Sequence, residues 1–254
     1  AELIMTFAIQ WLRSLVFNIQ MYIMMAIVGV GFLPWALIDR RGGYAAVHFY
    51  IWWVRWTASW MVGLKTEIRG SAPTGEVLVA GKHQSFLDVM LIAGAVPHPK
   101  FIMKQELRFV PVVGWYGAIL KCIPVKRGRR SEAIKKMMRD LEKGDHVKGQ
   151  LCIYPQGTRV SPGEHLPYKV GTAVLYMETG MPCVPVATNV GVFWSKLGVY
   201  RKPGVAIVEF LDPIQPGLDK EEFLAVLEDK VETASDALLT EAGFVFDDTP
   251  KNSG

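Results

Sequence analysis

Residues 15–38, LVFNIQMYIMMAIVGVGFLPWALI, contain no charged side chain, and only Asn18 and Gln20 are strongly polar. As a helix, such a run is long enough to cross a hydrocarbon core, which takes about 20 residues. The turn signal DRRGG at 39–43 follows, and then a second apolar segment, YAAVHFYIWWVRWTASWMVGL, at 44–64. In that segment Trp52, Trp56 and Trp60 recur every four residues, the spacing of one helix face. Six of the eight tryptophans fall in the first 60 residues, where an aromatic belt at a membrane interface would use them. Residues 1–64 therefore read as a hydrophobic two-helix hairpin that attaches the chain to a membrane. A buried helical pair with the tryptophans in its core is the other reading of the same stripe. The run exceeds the apolar stretch of a secretory signal, so a cleaved signal is not expected. Arg13, Arg40, Arg41 and Arg55 flank or interrupt both segments. Charge asymmetry therefore sets no orientation, and spanning or lying in one leaflet stays open.

After residue 65 the pattern changes. KTEIRG, EVLVAG, KFIMK, KCIPVK, QLCIY, PCVPVATN and GVAIVEF read as short strands. Helical patterns fall between and after them: SFLDVMLIAGAV, VVGWYGAIL, SEAIKKMMRDLEKG, VGTAVLYMETG and the long segment beginning DKEEFLAVL. Strands alternating with helices predict an α/β fold, a sheet with helices packed on it. The organisation expected is a hairpin at 1–64 and one α/β domain at 65–254. A net charge of +4 suits anionic partners without choosing among them. Cys122, Cys152 and Cys183 are widely spaced, odd in number and apolar in context, and read as buried free thiols.

Three stretches could carry chemistry. The first is KHQSFLD, residues 82–88. Five residues along a helix turn about 500°, so His83 and Asp88 meet only if His83 precedes the helix and Asp88 sits in its first turn. Ser85 and Asp88 also form a capping-box pattern, which starts the helix at Ser85 and leaves His83 just outside it. A carboxylate on one imidazole nitrogen makes the other basic, so this pair could deprotonate a hydroxyl. The second is IYPQGTRVSPGE, residues 153–164, where the Gly157 backbone, Thr158 and Arg159 suit a phosphate, although from this stretch alone a surface turn with a solvated arginine is the better reading. The third is residues 101–130, where Lys104 ends a strand and Arg127 follows another. From Lys126 to Arg139 there are seven basic residues against Glu132 alone. That run is either a solvated basic helix or a surface for an anionic carrier or lipid headgroups. No aromatics interleave with it, which argues against nucleic-acid binding. Walker and dinucleotide-binding glycine patterns are absent, so nucleotide hydrolysis and hydride transfer lose their main support.

In this order and spacing the blocks HQSFLD, FIMKQEL with PVVGWYG, PQGTR and CVPVATN resemble the glycerolipid acyltransferase family, in particular 1-acylglycerol-3-phosphate acyltransferases. The resemblance covers roughly residues 60–210 and implies a membrane-bound enzyme of phospholipid biosynthesis that makes phosphatidate. It implies His83 as general base on the acceptor hydroxyl and Asp88 as its orienting partner. Gly157, Thr158 and Arg159, with Lys104 and Arg127, would hold the acceptor's phosphate, and Val184, Pro185 and Val186 would line the acyl-chain side. The donor would be acyl-CoA or acyl carrier protein, with no cofactor, no metal and no covalent acyl-enzyme. The site would face the cytoplasmic side of a bacterial inner membrane. Two positions depart from the family pattern: Lys82 stands where Asn is usual, and Gln156 where Glu is usual. If Gln156 contacts the acceptor, the acceptor could differ, so an O-acyltransferase completing an aminolipid of the lyso-ornithine-lipid type is the alternative, or one enzyme doing both. A non-catalytic lipid-binding module is disfavoured by the intact His83–Asp88 pair.

Overall fold

The computed structural model describes residues 2–125 and 148–246. The chain opens with α1 (Glu2–Gly31), a short α2 (Leu33–Ile38) and α3 (Arg40–Met61). Pro34 lies in the first turn of α2, and the Asp39 side chain accepts from the Arg41 N–H to start α3. Seven strands follow: β1 (Leu64–Arg69), β2 (Val77–Gly81), β3 (Pro99–Lys104), β4 (Ile123–Val125), β5 (Gln150–Ile153), β6 (Cys183–Thr188) and β7 (Gly204–Phe210). Between and after them come α4 (Phe86–Ala95), α5 (Val113–Ile119), α6 (Gly171–Thr179) and α7 (Lys220–Glu241). Among the described residues these strands form one sheet in the order β1-β7-β6-β2-β5-β3-β4, with only β6 and β7 antiparallel. This is the expected mixed sheet flanked by helices. The expected strands lie within the described residues except for Lys126 at the end of KCIPVK, as do all the expected helices except SEAIKKMMRDLEKG; that helix and the basic run lie outside them.

Both faces of the sheet are covered, so its central strands are apolar throughout rather than alternating with polar residues. Every residue of β2 is buried. Val77 and Val79 face a cluster that includes Leu87, Met90 and Leu91 of α4, and Leu78 and Ala80 face Leu175 of α6 with Phe223 and Leu227 of α7. Each such fully buried Leu or Phe contributes roughly 1.5–3 kcal/mol. The hairpin helices join the first cluster: Phe17 and Met21 of α1 and Ile51, Val54 and Ala58 of α3 lie in it beside α4.

Polar residues of α1 fasten it to the rest of the chain. Gln10 Nε2 donates to the carbonyls of Val62 (2.9 Å) and Arg201 (2.8 Å), and the Arg201 N–H donates to Ser14 Oγ (2.9 Å). Asn18 binds the Val199 carbonyl, and Gln20 accepts from Trp53 Nε1 and donates to Thr57. The opposite face of α1 exposes Ile4, Phe7, Leu12, Ile19, Ile23 and Ile27. Trp52, Trp56 and Trp60 are each about half exposed (54%, 47% and 57%), so the stripe faces outward and not into a core. Residues Ile4–Gly31 are the one described helix long and apolar enough to cross a membrane, which together with the outward tryptophans is consistent with membrane attachment.

Val112, just before α5, has φ 64° and ψ −60°, and the Val113 N–H donates to the Pro111 carbonyl (2.8 Å). A three-residue turn of this kind is strained, most of all for a β-branched residue. The Val112 side chain fills the notch over Gly29 of α1, where an added Cβ would stand 2.4 Å from Val112 Cγ1. Gly29→Ala is therefore expected to lower stability although alanine favours a helix by about 1 kcal/mol. In a Val112→Gly background the same change should raise it. Thermal unfolding of the four detergent-solubilised proteins checks this; additive effects would contradict the fitted contact.

Candidate functional site

Three neighbouring parallel strands, β2, β5 and β3, end on the same edge of the sheet. Ligands of open α/β sheets bind at that edge. β2 delivers Lys82, His83 and Gln84 to it, and Ser85 then caps α4 by accepting from the Leu87 N–H (3.0 Å). The turn is pinned from several directions. Lys82 N–H donates to the Val186 carbonyl, the His83 carbonyl accepts from Val160 N–H (2.7 Å), and Gln84 Oε1 accepts from Gly191 N–H (2.9 Å).

Asp88 is completely buried and serves two roles. Its Oδ2 accepts from the backbone N–H groups of Gln84 and Ser85, both at 2.7 Å, completing the capping box. Its Oδ1 lies 2.8 Å from His83 Nδ1. A carboxylate already accepting from two amides offers only acceptor lone pairs, so His83 carries its proton on Nδ1 and presents a bare Nε2. The His83 side chain is 19% exposed and opens into a cleft of about 670 Å³. Tyr154, which follows β5, stacks on the imidazole with ring centres 4.2 Å apart and planes 24° apart. Burial first, then the negative charge of Asp88, holds the Tyr154 hydroxyl well above its usual pKa, so it stays protonated.

The cleft wall is mostly apolar, with Met21 and Met25 of α1, Phe101, Leu175 and Trp194 among its residues. Lys104, Gly157 and Arg159 also line it, as expected. Arg159 Nη1 donates to the Lys196 carbonyl (2.9 Å), and Lys104 is exposed at the end of β3. Thr158 is exposed and stands outside the cleft lining, because the turn directs Gly157 and Arg159 inward and the residue between them outward. Arg127 lies outside the described residues.

Two expectations are corrected. Gln156 does not face the cleft: it is 2% exposed, and its Nε2 donates to Glu232 Oε1 (3.2 Å) on α7. Val184, Pro185 and Val186 do not line the cleft either. They are fully enclosed in β6 near the middle of the sheet, and Val184 and Val186 pack in the core cluster under α4.

Sequence reasoning missed Tyr154, although it stands inside the block that carries Arg159. It also missed Arg201, a cleft residue only 5% exposed. The Arg201 guanidinium lies 4.1 Å over the Trp194 ring and donates to the carbonyls of Gly198 and Tyr200 and to Asn18 Oδ1. All are neutral oxygens, and burial draws its pKa down to about 10, still charged at neutral pH. Cys152 and Cys183 are buried free thiols, with burial pushing Cys183 up to about 12; Cys122 is free and half-buried.

A family model described as acyltransferase matches residues 64–189. An uncharacterised acyltransferase of Schizosaccharomyces pombe is 30% identical over 221 residues, 81% of this chain and 77% of that protein. The chain belongs to the acyltransferase family. Proteins named 1-acyl-sn-glycerol-3-phosphate acyltransferase are also similar: that of Pseudomonas aeruginosa is 30% identical over 62% of this chain, and that of Saccharomyces cerevisiae 32% identical over 61%. The chain spans 60% and 53% of the lengths of those two relatives. The fold matches the crystal structure of the 1-acyl-sn-glycerophosphate acyltransferase of Thermotoga maritima with a TM-score of 0.74, covering 90% of this chain and 97% of that one at 24% identity.

The dual role of Asp88 has a direct consequence. In an Asp88→Asn variant the new amide would turn its NH2 either toward the Nδ1–H of His83 or toward the two backbone N–H donors, so one role must fail. The substitution is expected to lower acyl-transfer kcat by about 100-fold or more, far beyond the effect of losing a helix cap worth about 1 kcal/mol. Steady-state rates measured beside thermal unfolding decide it; a variant with near-normal kcat would reduce Asp88 to a cap.

Proposed function

We propose that this protein moves a fatty acyl group from an acyl thioester, on CoA or acyl carrier protein, to the free hydroxyl of 1-acylglycerol-3-phosphate, giving phosphatidate. The observation that carries this reading is the His83–Asp88 pair opening into an apolar cleft that also holds Arg159 and Lys104. The pairing of a base with nearby cations in a greasy groove suits a lipid alcohol bearing a phosphate. The names of the relatives point the same way.

His83 Nε2 removes the acceptor's hydroxyl proton as that oxygen attacks the thioester carbonyl carbon. The new C–O bond forms, the C–S bond breaks, and the imidazolium returns the proton to the departing thiolate. Asp88 stabilises the imidazolium while it exists. Arg159, with Lys104, holds the acceptor's phosphate, and the apolar wall takes the acyl chains. No cofactor enters this scheme. The outward faces of α1 and α3 rest in one leaflet, because Gln10, Ser14 and Asn18 tie α1 along the domain. The cleft then opens at the cytoplasmic surface, where both the lipid acceptor and a soluble thioester can reach it. The aminolipid reading drew on Gln156 as an acceptor contact, and its buried carboxamide removes that support.

His83→Ala should abolish transfer from a long-chain acyl thioester to lysophosphatidate, leaving about 1% of activity or less; survival of more than a few per cent would overturn the base assignment. Arg159→Ala should raise KM for lysophosphatidate much more than for a monoacylglycerol, which lacks the phosphate. Equal losses on both acceptors would contradict phosphate binding.

A further inference from the structure

The two departures from the family pattern meet in space. The Lys82 side chain is fully enclosed; its ammonium pairs with Glu232 Oε2 on α7 and donates to the Glu164 carbonyl (3.2 Å). Glu232 Oε1 accepts from Gln156 Nε2 (3.2 Å) and from the Tyr168 hydroxyl (2.9 Å). Gln156 Nε2 also lies 3.4 Å from the Leu166 carbonyl. His165 completes the surroundings, with Nε2 3.5 Å from Glu232 Oε2 and 3.1 Å from Asp236 Oδ2. Burial, then the Glu232 charge, keeps the Tyr168 hydroxyl protonated and donating.

A buried charge is tolerated only when paired, and removing one partner of a buried pair is severe. Lys82 therefore requires a carboxylate, and Glu232 supplies it from 150 residues away. With that carboxylate in place, a Glu at 156 would set two carboxylates against one ammonium. Gln156 fits because its neutral amide donates where a carboxylate would repel. Positions 82, 156 and 232 thus form one charge set in which the carboxylate sits on α7 instead of in the anion-binding loop.

Lys82 adjoins the catalytic His83, and Gln156 lies three residues before Arg159. We propose that Glu232 is a positioning residue for both halves of the site: through Lys82 it fixes the base-bearing turn, and through Gln156 the turn that holds the acceptor's phosphate. This rests on the acyl-transfer reading and names a further determinant of it. The two turns are also joined directly by the Val160 N–H to His83 carbonyl bond, so a shift at either is felt at the imidazole.

The test is a charge-relocation cycle on the full chain in detergent: Glu232→Gln, Gln156→Glu and the double variant. In the double variant the carboxylate moves from α7 into the loop while Lys82 keeps a counter-charge. Kinetics use 1-oleoyl lysophosphatidate and oleoyl-CoA, with the unfolding midpoint of each protein recorded. Each single change should lower kcat by roughly 10- to 100-fold even where the protein is folded at assay temperature, and the double variant should recover most of both kcat and unfolding midpoint. A folded Glu232→Gln with wild-type kcat, or a double variant no better than its poorer parent, overturns the proposal. If single variants fail to fold, recovery of the midpoint in the double supports the set, and purely additive destabilisation refutes it. Wild-type protein inactive on lysophosphatidate would sink the substrate reading instead, and the unfolding cycle would still decide whether the three residues act as one charge set.

Discussion

A carboxylate buried without donors would cost several kcal/mol and protonate instead. Asp88 is given those partners: two backbone amides donate to one oxygen, and an imidazole nitrogen lies against the other. The same contacts start α4, hold the turn after β2 and fix the tautomer of His83. Helix start and side-chain placement are not separable at this residue, because the amides that satisfy Asp88 are those of the turn that positions His83. The helix N-terminus adds a favourable dipole to the carboxylate, which sits in the first turn.

The scaffold around it is arranged to keep that turn still and the cleft greasy. The parallel strands β2, β5 and β3 bring His83, the turn at 157–159 and Lys104 to one edge. α1 closes the cleft with Met21, Tyr22 and Met25 and is itself tied down by a polar seam ending at Arg201. The helix with an outward apolar face on one side therefore forms part of the cleft wall on the other.

Much of this was legible in the sequence, for a physical reason. Strand and helix signals depend on local periodicity and on Gly and Pro punctuation, and β1 to β7 followed them. The His83–Asp88 pair was legible because five residues and a cap fix its geometry locally. What failed was long-range. The family pattern suggests Gln156 as an acceptor contact, but its neighbour is decided by α7, 76 residues on. The resemblance implied that Val184, Pro185 and Val186 line the acyl-chain side, yet β6 lies between two layers and its side chains fill the core. Asn18 and Gln20, the two strongly polar residues of the apolar run, are docking contacts, which only the partner surface reveals.

The central claim is that Asp88 holds the proton of His83 on Nδ1 and leaves Nε2 free to accept one. Nitrogen-15 NMR of histidine-labelled protein in detergent micelles, with the His83 signals assigned by their loss in a His83→Gln variant, reads that distribution directly. At a pH where the ring is neutral, the account predicts an N–H signature at Nδ1 and a bare-lone-pair signature at Nε2. The opposite tautomer, or an even mixture of the two, would contradict it.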